Sequence, residues 1–340
     1  MIGTKSYDTI VITSFVIRMY GKLYFYRMID VIYLLTGFVV GMGLSVQTSV
    51  NGRLRRAVRS PFLTSLISFF ISLLFIGILV FIQVDTVMPS GAFILDQPFW
   101  IWLGGFFGCI FLIGNVLLFP KLGAVQTVIF PVLGQILFGL MIDQFGLFHA
   151  PNLPMTVSKL IGTLMVLSGV IGVILLSKKS SQTSAPMKLD RSIWFWRLLG
   201  IGTGGCSTLQ ITINGQLGVA LHSAIHASLV SFIVGTISLL LMVCVQRPPL
   251  KVKQPSEGKN PWWMWMGGFL GALYVMGNAW ISPRIGVGTS VVVGLLGLMS
   301  AGLIIDETGI LESQRHPVSL RQVISLVVMF VGVCLIRLWH

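Results

Sequence analysis

Ten segments of mostly apolar residues, each roughly 20 residues long, follow one another along this chain, separated by short polar stretches. A helix of this length crosses a lipid bilayer and satisfies its own backbone hydrogen bonds where no water is available. The pattern therefore predicts an all-α polytopic membrane protein with ten transmembrane helices. We place the spans at residues 30–50, 61–83, 98–118, 124–142, 157–177, 194–213, 226–246, 261–281, 287–305 and 318–338.

Charge is scarce and lies mainly between these segments. Only 10% of the residues are charged, whereas about a quarter are charged in an ordinary soluble domain. The net charge of +13 alone would suggest a nucleic-acid partner, but the Lys and Arg residues lie almost wholly between the apolar segments, where they set membrane orientation. We therefore expect membrane lipid, and no nucleic acid, around this chain.

The sequence repeats itself with a constant offset of 163 residues and without gaps. Residues 41–60 align with 204–223, and residues 102–123 align with 265–286. Register held over so long a stretch favours duplication over chance similarity between apolar helices. Identical pairs include Gly41 and Gly204, Gln47 and Gln210, Asn51 and Asn214, Gly108 and Gly271, Asn115 and Asn278, Pro120 and Pro283, and Asp143 and Asp306.

The duplication divides the chain into two five-helix repeats. We assign residues 30–177 to the first repeat, 178–193 to a linker and 194–340 to the second repeat. Residues 1–29 precede the first span as an N-terminal extension, and Met28 offers an alternative translation start.

A repeat with five crossings enters the membrane from the opposite side when it recurs in tandem, so the two halves are predicted to be inverted copies. The loop charges support this inversion. The first loop carries four arginines where its counterpart has none: Arg53, Arg55, Arg56 and Arg59 against Gln216, Gly218, Val219 and His222. The next loop, 84–97, has no Lys or Arg, whereas its counterpart has four: Arg247, Lys251, Lys253 and Lys259. By the positive-inside rule the linker is cytoplasmic and both termini face outwards.

The fourth and ninth spans are predicted to hold the substrate site. Pro131 removes a backbone donor near the membrane centre, which predicts a kink or break in the fourth span. The ninth span has Gly294 at the equivalent position, followed by Gly297. Paired Gly and Pro interruptions in corresponding spans are typical of a transporter's binding site. Gln135 is replaced by Leu298, so its amide either binds the substrate on one side or joins two helices.

Further amides lie near the ends or within the spans of both halves. Their side chains either line the mouths of a substrate cavity or form hydrogen bonds between helices, and the Asn-Gly pairs also suit helix ends. These candidate substrate-binding residues are Gln47, Asn51, Gln210, Asn214, Asn115 and Asn278.

No Asp, Glu, Lys or Arg falls in the middle of any predicted span. Asp143 and Asp306 end the fourth and ninth spans and are the only symmetric acids available to carry a coupling proton. The alternative is that both cap loops. The four cysteines lie within apolar runs without metal-ligand spacing, so no metal or other cofactor is indicated.

Several motifs carry a resemblance to a known family. They are Q-x-x-x-N-G-x-L from Gln47, W-x-G-G-x-x-G from Trp102, P-K-L-G from Pro120 and G-Q-x-x-x-x-x-x-I-D-x-F-G-L from Gly134. Together they resemble the YdcZ-like family of the drug/metabolite transporter superfamily, in its fused two-repeat form. The resemblance implies a bacterial inner-membrane protein, and it does not specify a substrate.

We therefore expect a secondary transporter that exports a small molecule or metabolite across the bacterial cytoplasmic membrane by alternating access. A passive facilitator or channel fits the same features, and a non-transport membrane scaffold is a further alternative. An enzyme is not expected, because no nucleophile, base or acid cluster is visible in the spans. The sequence is compatible with a homo-oligomer.

Overall fold

The computed structural model describes the backbone of residues 4–83, 91–176, 191–250, 252–253, 259–313 and 315–338. Side chains are described in these ranges except at 4–28, 124–125, 191–192 and 337–338. This part of the chain is helical and contains no strand. The linker predicted at 178–193 lies mostly outside the described residues.

Long helices fill both halves of the chain. The first half contains α1 (Thr4–Val58), α2 (Pro61–Ile82), the helical stretch Gly104–Phe145, which is divided at Gly123 into α3 (104–122) and α4 (124–145), and α5 (Val157–Leu176). The second half contains α6 (Arg191–Ala220), α7 (Ala224–Gln246), α8 (Gly267–Ile285), α9 (Val287–Thr308) and α10 (Leu320–Leu338). The helix α1 begins at Thr4, so most of the predicted N-terminal extension forms one continuous helix with the first span.

Within the described residues, seven helices are long and apolar enough to cross a membrane: α1 from Ile29, α2, α3, α4, α5, α7 and α9. The helices α6, α8 and α10 fall outside this set. Of these, α6 is rich in amide and hydroxyl side chains and α8 in glycine, which lowers their mean hydropathy. The chain is thus a membrane protein with several spanning helices, and the full count of ten stays a prediction.

The backbone repeats its turns at the same offset as the sequence. Gly123 (φ 70°) separates α3 from α4, and Gly286 (φ 89°) separates α8 from α9. Gly146 and Gly309 end α4 and α9 in the left-handed region. A side chain is strained at such φ values, so glycine fixes where each helix stops.

The first hairpin of each half begins its second helix in the same way. The Ser60 hydroxyl accepts a hydrogen bond from the Leu63 amide (3.2 Å), and the equivalent Ser223 hydroxyl accepts one from the His226 amide (3.3 Å). Each serine satisfies an amide that the helix itself leaves without an acceptor. Both hairpins therefore turn at a point that the sequence specifies.

The first helix of each half packs against the third and fourth helices of the other half, and we call this contact the half–half interface. The helix α1 contacts α8 and α9, and α6 contacts α3 and α4. A Cβ atom at Gly41 would overlap the carbonyl oxygen of Gly294, and one at Gly204 would overlap the carbonyl oxygen of Pro131. The helices therefore meet at backbone distance, as small residues allow in membranes.

The fifth helices of the two halves pack against each other. Gly162 lies against Gly332 and Ile336, whereas Gly169, two turns further along α5, lies against Ser325 and Met329. Since the contact moves backwards along α10 as it moves forwards along α5, the two helices run antiparallel. The largest cluster of buried apolar side chains, including Val166, Val170, Met329 and Val333, lies between α4, α5, α9 and α10.

We predict that Gly41→Ala destabilises the protein by about 1–3 kcal/mol, because the new methyl group forces α1 away from Gly294. The matched control is Gly43→Ala on the same helix, where no atom lies within 4 Å of the added methyl group. Since alanine favours a helix over glycine, the control should be neutral or stabilising. Thermal unfolding of the detergent-purified variants measures both, and an equal loss in both would contradict the packing described.

Candidate functional site

Pro131 and Gly294 lie at equivalent points of the half–half interface, but neither interrupts its helix. The non-helical dihedrals reported within 104–145 are those of Gly123, and α9 runs unbroken from Val287 to Thr308. Of the predicted kink or break at Pro131, the structure shows no break, and a kink stays a prediction. Proline removes only one helical hydrogen bond, its φ suits a helix, and packing of its carbonyl group against Gly204 holds the helix in place.

The Gln135 side chain joins α4 to α6. Its Nε2 donates to the Ser207 hydroxyl (3.2 Å), and its backbone carbonyl accepts a hydrogen bond from the Thr208 hydroxyl (3.0 Å). Gln135 is half-buried and Thr208 is fully buried. In this conformation the amide therefore makes a contact between the two halves. The equivalent Leu298 is half-buried and packs against the largest apolar cluster, so this polar contact exists on one side only.

The predicted amides of α1 and α6 lie on the same interface. Asn51 Nδ2 donates to the Ser68 hydroxyl (3.4 Å), and the equivalent Asn214 Nδ2 donates to the Ser231 hydroxyl (3.0 Å). The amide oxygens lie against the glycine that opens the third helix of the other half, Gly267 for Asn51 and Gly104 for Asn214. These asparagines thus link a helix of their own half to a glycine of the other.

Gln47 and Gln210 occupy the next turn in the same way. Gln47 lies against Gly271, and the equivalent Gln210 lies against Gly108. The buried Gln47 Oε1, like Asn51 Oδ1, has no conventional hydrogen-bond donor. For Asn51 the oxygen is the amide atom nearest to its glycine, whose Cα–H group is a weak donor that suits it, whereas for Gln47 the nitrogen Nε2 is nearest. The glycines of the third helices therefore make room for polar side chains of the other half. These glycines are Gly104 and Gly108 in α3 and Gly267 and Gly271 in α8.

The third pair of predicted amides differs between the halves. Asn278 is buried, and its Nδ2 donates to the Tyr274 carbonyl of its own helix (2.9 Å). Asn115 is half-buried on α3. The described hydrogen bond of Asn278 is therefore within one helix.

Asp143 is the most completely enclosed acid among the described residues, with no exposed surface. Its Oδ1 accepts from the Val287 amide (2.7 Å) and its Oδ2 from the Gly288 amide (2.9 Å), which are the first two residues of α9. A carboxylate suits a helix N-terminus because the first amides lack helical acceptors and carry partial positive charge. Asp143 of the first half thus caps a helix of the second.

Lys159 is a buried cation beside Asp143 that the sequence analysis missed. Its Nζ lies 3.8 Å from Asp143 Oδ2 and donates to the Leu153 carbonyl (2.9 Å). The side chain is only 3% exposed. The equivalent residue is the neutral Gln322, and the equivalent acid Asp306 is half-buried. Aligning the two halves would have revealed this difference, because Lys159, near the start of the fifth span, aligns with Gln322 in the tenth.

Two basic residues that end the third helices also escaped the sequence analysis. Lys121 Nζ lies 5.5 Å from the ring centre of Trp196, and the equivalent Arg284 lies 5.7 Å from Tyr33. These cation–π contacts each join a third helix to the first helix of the other half. The signal was present in the P-K-L-G and P-R-I-G motifs.

Two clefts in the described part of the protein lie beside α1. One, of about 440 Å³, lies between α1, α7 and α8 and is lined mainly by apolar side chains such as Val40, Met276 and Trp280. The other, of about 350 Å³, lies between the end of α1 and the loop after α9. Neither of these two clefts is lined by Pro131, Gln135, Gly294 or Gly297, so a cavity at those positions stays a prediction.

No group of three or more His, Cys, Asp or Glu residues that could hold a metal ion occurs among the described residues. Among the histidines, His226 contacts the Ser223 hydroxyl through its ring atom Nδ1 (2.8 Å).

Comparisons with known proteins follow the two-half division. The sequence profile of a family described as "Putative inner membrane exporter, YdcZ" matches residues 32–172 and again 195–335. No curated protein matches the chain. A solved structure described as "Crystal structure of protein" is similar with a TM-score of 0.63 and 15% identity, covering 91% of this chain and 96% of that one. At this identity the likeness concerns the fold alone.

Asp143→Asn is expected to lower stability by about 3–5 kcal/mol, because Lys159 then stays buried without its counter-charge. The Lys159→Gln background reproduces the acid–glutamine arrangement of the second half. In that background Asp143→Asn should lower stability by less, because no lysine is left without its counter-charge. A double-mutant cycle from denaturation of the purified protein gives the coupling energy. Asp306→Asn is the matched control, and a loss as large as that of Asp143→Asn would contradict this account.

Proposed function

This chain belongs to the YdcZ family of inner-membrane transporters, and from that membership we propose that it exports a small molecule across the bacterial cytoplasmic membrane by alternating access. The match of the family profile to both halves carries the proposal. A transporter, rather than an enzyme, is what the family describes. A small-molecule substrate and a lipid environment follow from the same membership.

We further propose that the two halves are inverted repeats, giving ten spanning helices in all. The contacts between the halves support this arrangement, because they are exchanged when 163 is added or subtracted: Gly41 with Gly294 becomes Gly204 with Pro131. Such reciprocity is expected of two units related by a two-fold axis. The antiparallel packing of α5 with its counterpart α10 further supports opposite orientations of the halves.

Alternating access then consists of rocking the halves about the half–half interface. Glycine-lined contacts between helices suit this motion, since few side chains must change rotamer when the backbones shift. We propose that substrate binds where α4 and α9 meet α6 and α1, near Pro131, Gln135, Gly294 and Gly297. Gln135 would exchange its hydrogen bond with Ser207 for one with the substrate.

Asp143 and Asp306 are our candidates for proton coupling. Protonation of Asp143 would remove the charge that attracts Lys159 and one of the two oxygens that cap α9. The cap would weaken, and α9 would be freer to move against α4. Asp306, less buried, would act at the other end of the proposed inverted pair.

A passive facilitator is the second candidate function, and the geometry of Asp143 favours it. Its carboxylate has two backbone donors and a lysine in a fully buried position, which is the arrangement of a static helix cap. A facilitator needs no coupling ion and makes use of the same interface. Transport measurements separate the two candidates.

The proposed topology predicts the labelling of single cysteines in a background without the four native cysteines. Cysteines replacing Ser90 and His222 should react with an impermeant maleimide in intact spheroplasts, because these loops lack the basic residues of a cytoplasmic side. Cysteines replacing Arg55 and Pro255 should react only after permeabilisation. Reaction of the Arg55→Cys variant from outside would reverse the orientation of the first half.

The coupling hypothesis predicts that proton-driven transport fails without either carboxylate. Vesicles with an imposed pH gradient would compare the parent with Asp306→Asn and with Asp143→Asn, the latter also in the Lys159→Gln background, where no lysine stays buried without its counter-charge. Loss of uphill transport with retained downhill exchange would support coupling. Full gradient-driven transport in both single variants would identify the acids as caps, with the coupling group elsewhere, whereas a parent protein without any gradient-driven transport would favour the facilitator.

A further inference from the structure

An ion cluster joins the two halves at the end of α1. Arg53 Nε lies 2.7 Å from Oε2 of Glu312, which belongs to the loop between α9 and α10, and Arg56 Nη2 lies 3.8 Å from the same oxygen. The Arg53 side chain is only 8% exposed, whereas that of Glu312 is 49% exposed. The cation is therefore buried in the interface, whereas its anion lies at the surface.

The cluster holds more positive than negative charge. Two guanidinium groups share the Glu312 carboxylate, and the exposed Arg55 and Arg59 lie on the same end of α1. The nearest acid along the chain, Glu307 at the end of α9, is engaged elsewhere: it pairs with Arg315 at 3.6 Å and accepts from the Val318 amide (2.6 Å). Arg53 Nε is also poorly aligned for a hydrogen bond with Glu312. A second or replacement carboxylate would be favoured here.

Space for such a group lies beside the cluster. The cleft of about 350 Å³ is lined by Ser49, Gly52 and Arg56 of α1 and by Leu311, Glu312 and Ser313 of the loop. It thus offers the Arg56 guanidinium and the Ser313 hydroxyl beside the Glu312 carboxylate, while the Ser49 hydroxyl donates to the Ser45 carbonyl (3.4 Å) and the buried Arg53 contacts the same carboxylate without lining the cleft. Its volume falls within the range of small-molecule sites.

The repeated fold does not require this ion pair. The positions equivalent to Arg53, Arg56 and Glu312 are Gln216, Val219 and His149, and the His149 ring packs against Trp100 at 5.6 Å. The left-handed turn nevertheless forms in both loops, with φ of 55° at Glu312 and 60° at His149. Nor does membrane orientation require it, since a topology-setting arginine has no need of burial.

We propose that Arg53 and Arg56 form a binding site for the carboxylate of a small organic anion, and that Glu312 holds this site as an internal substitute. This inference rests on the proposed transport function and names its substrate class, and the site is a second one, separate from that proposed near Pro131 and Gln135. In the proposed topology the site opens to the cytoplasm. An incoming carboxylate displaces Glu312 and frees the loop that follows α9, so binding loosens α9 from α1 at that end.

Chemical rescue tests the site on the purified full-length protein. Glu312→Gln removes the internal carboxylate, and acetate is the probe that replaces it. We expect acetate to raise the melting temperature of this variant in a saturable way, beyond chloride at equal ionic strength, and to affect the parent less because Glu312 competes. The matched control is Glu307→Gln, which keeps the cluster filled and should respond to acetate like the parent.

Two double variants identify the cations. Arg53→Gln combined with Glu312→Gln should abolish the acetate effect. If that protein fails to fold, the double variant Arg56→Gln with Glu312→Gln changes a more exposed side chain. It should raise the apparent Kd for acetate about twofold to fivefold. An acetate effect no greater than that of chloride in Glu312→Gln, or one unchanged in the double variants, would overturn the proposal.

The assay reads binding without transport, so the two hypotheses fail separately. Specific acetate rescue in a protein that moves no solute in vesicles would keep the anion site and reject the transporter. Transport that proceeds while acetate rescue is missing would keep the transporter and reject the anion site.

Discussion

Close approach of backbones across the half–half interface is the constraint on which the rest of the structure depends. In lipid, helices gain nothing from burying apolar surface against each other, so association relies on van der Waals contact and hydrogen bonds. Glycines at 41, 204 and 297 permit that contact, and carbonyl groups of the other half fill the space that a side chain would take. Each half therefore supplies the surface that the other half's first helix needs.

Charge breaks the symmetry that packing imposes. The buried Lys159 beside Asp143 is matched by the neutral Gln322 beside Asp306, and the Arg53–Glu312 contact is matched by Gln216 and His149. Removing one member of a buried pair is costly, because the other charge remains without compensation. The two halves thus hold their contacts with different charges at the two ends.

The candidate site shows where reasoning from sequence stops. The sequence singled out Gln135 and Asn51 as polar residues in apolar surroundings, but it left open whether they face a cavity or another helix. Their described partners are Ser207 and Ser68. The sequence also suggested a kink or a break at Pro131, since proline lacks a donor, yet the helical backbone continues through this residue.

The sequence by itself determined the apolar segments and the duplication, because the length of an apolar segment and the register of a repeat can be read along the chain without knowing what packs against it. Only the tertiary structure decided which groups meet across the halves. Asp143 reaches the amides of Val287 and Gly288 from more than 140 residues away. No local pattern encodes such a pairing, since the position of each partner depends on how two separately specified bundles pack against each other.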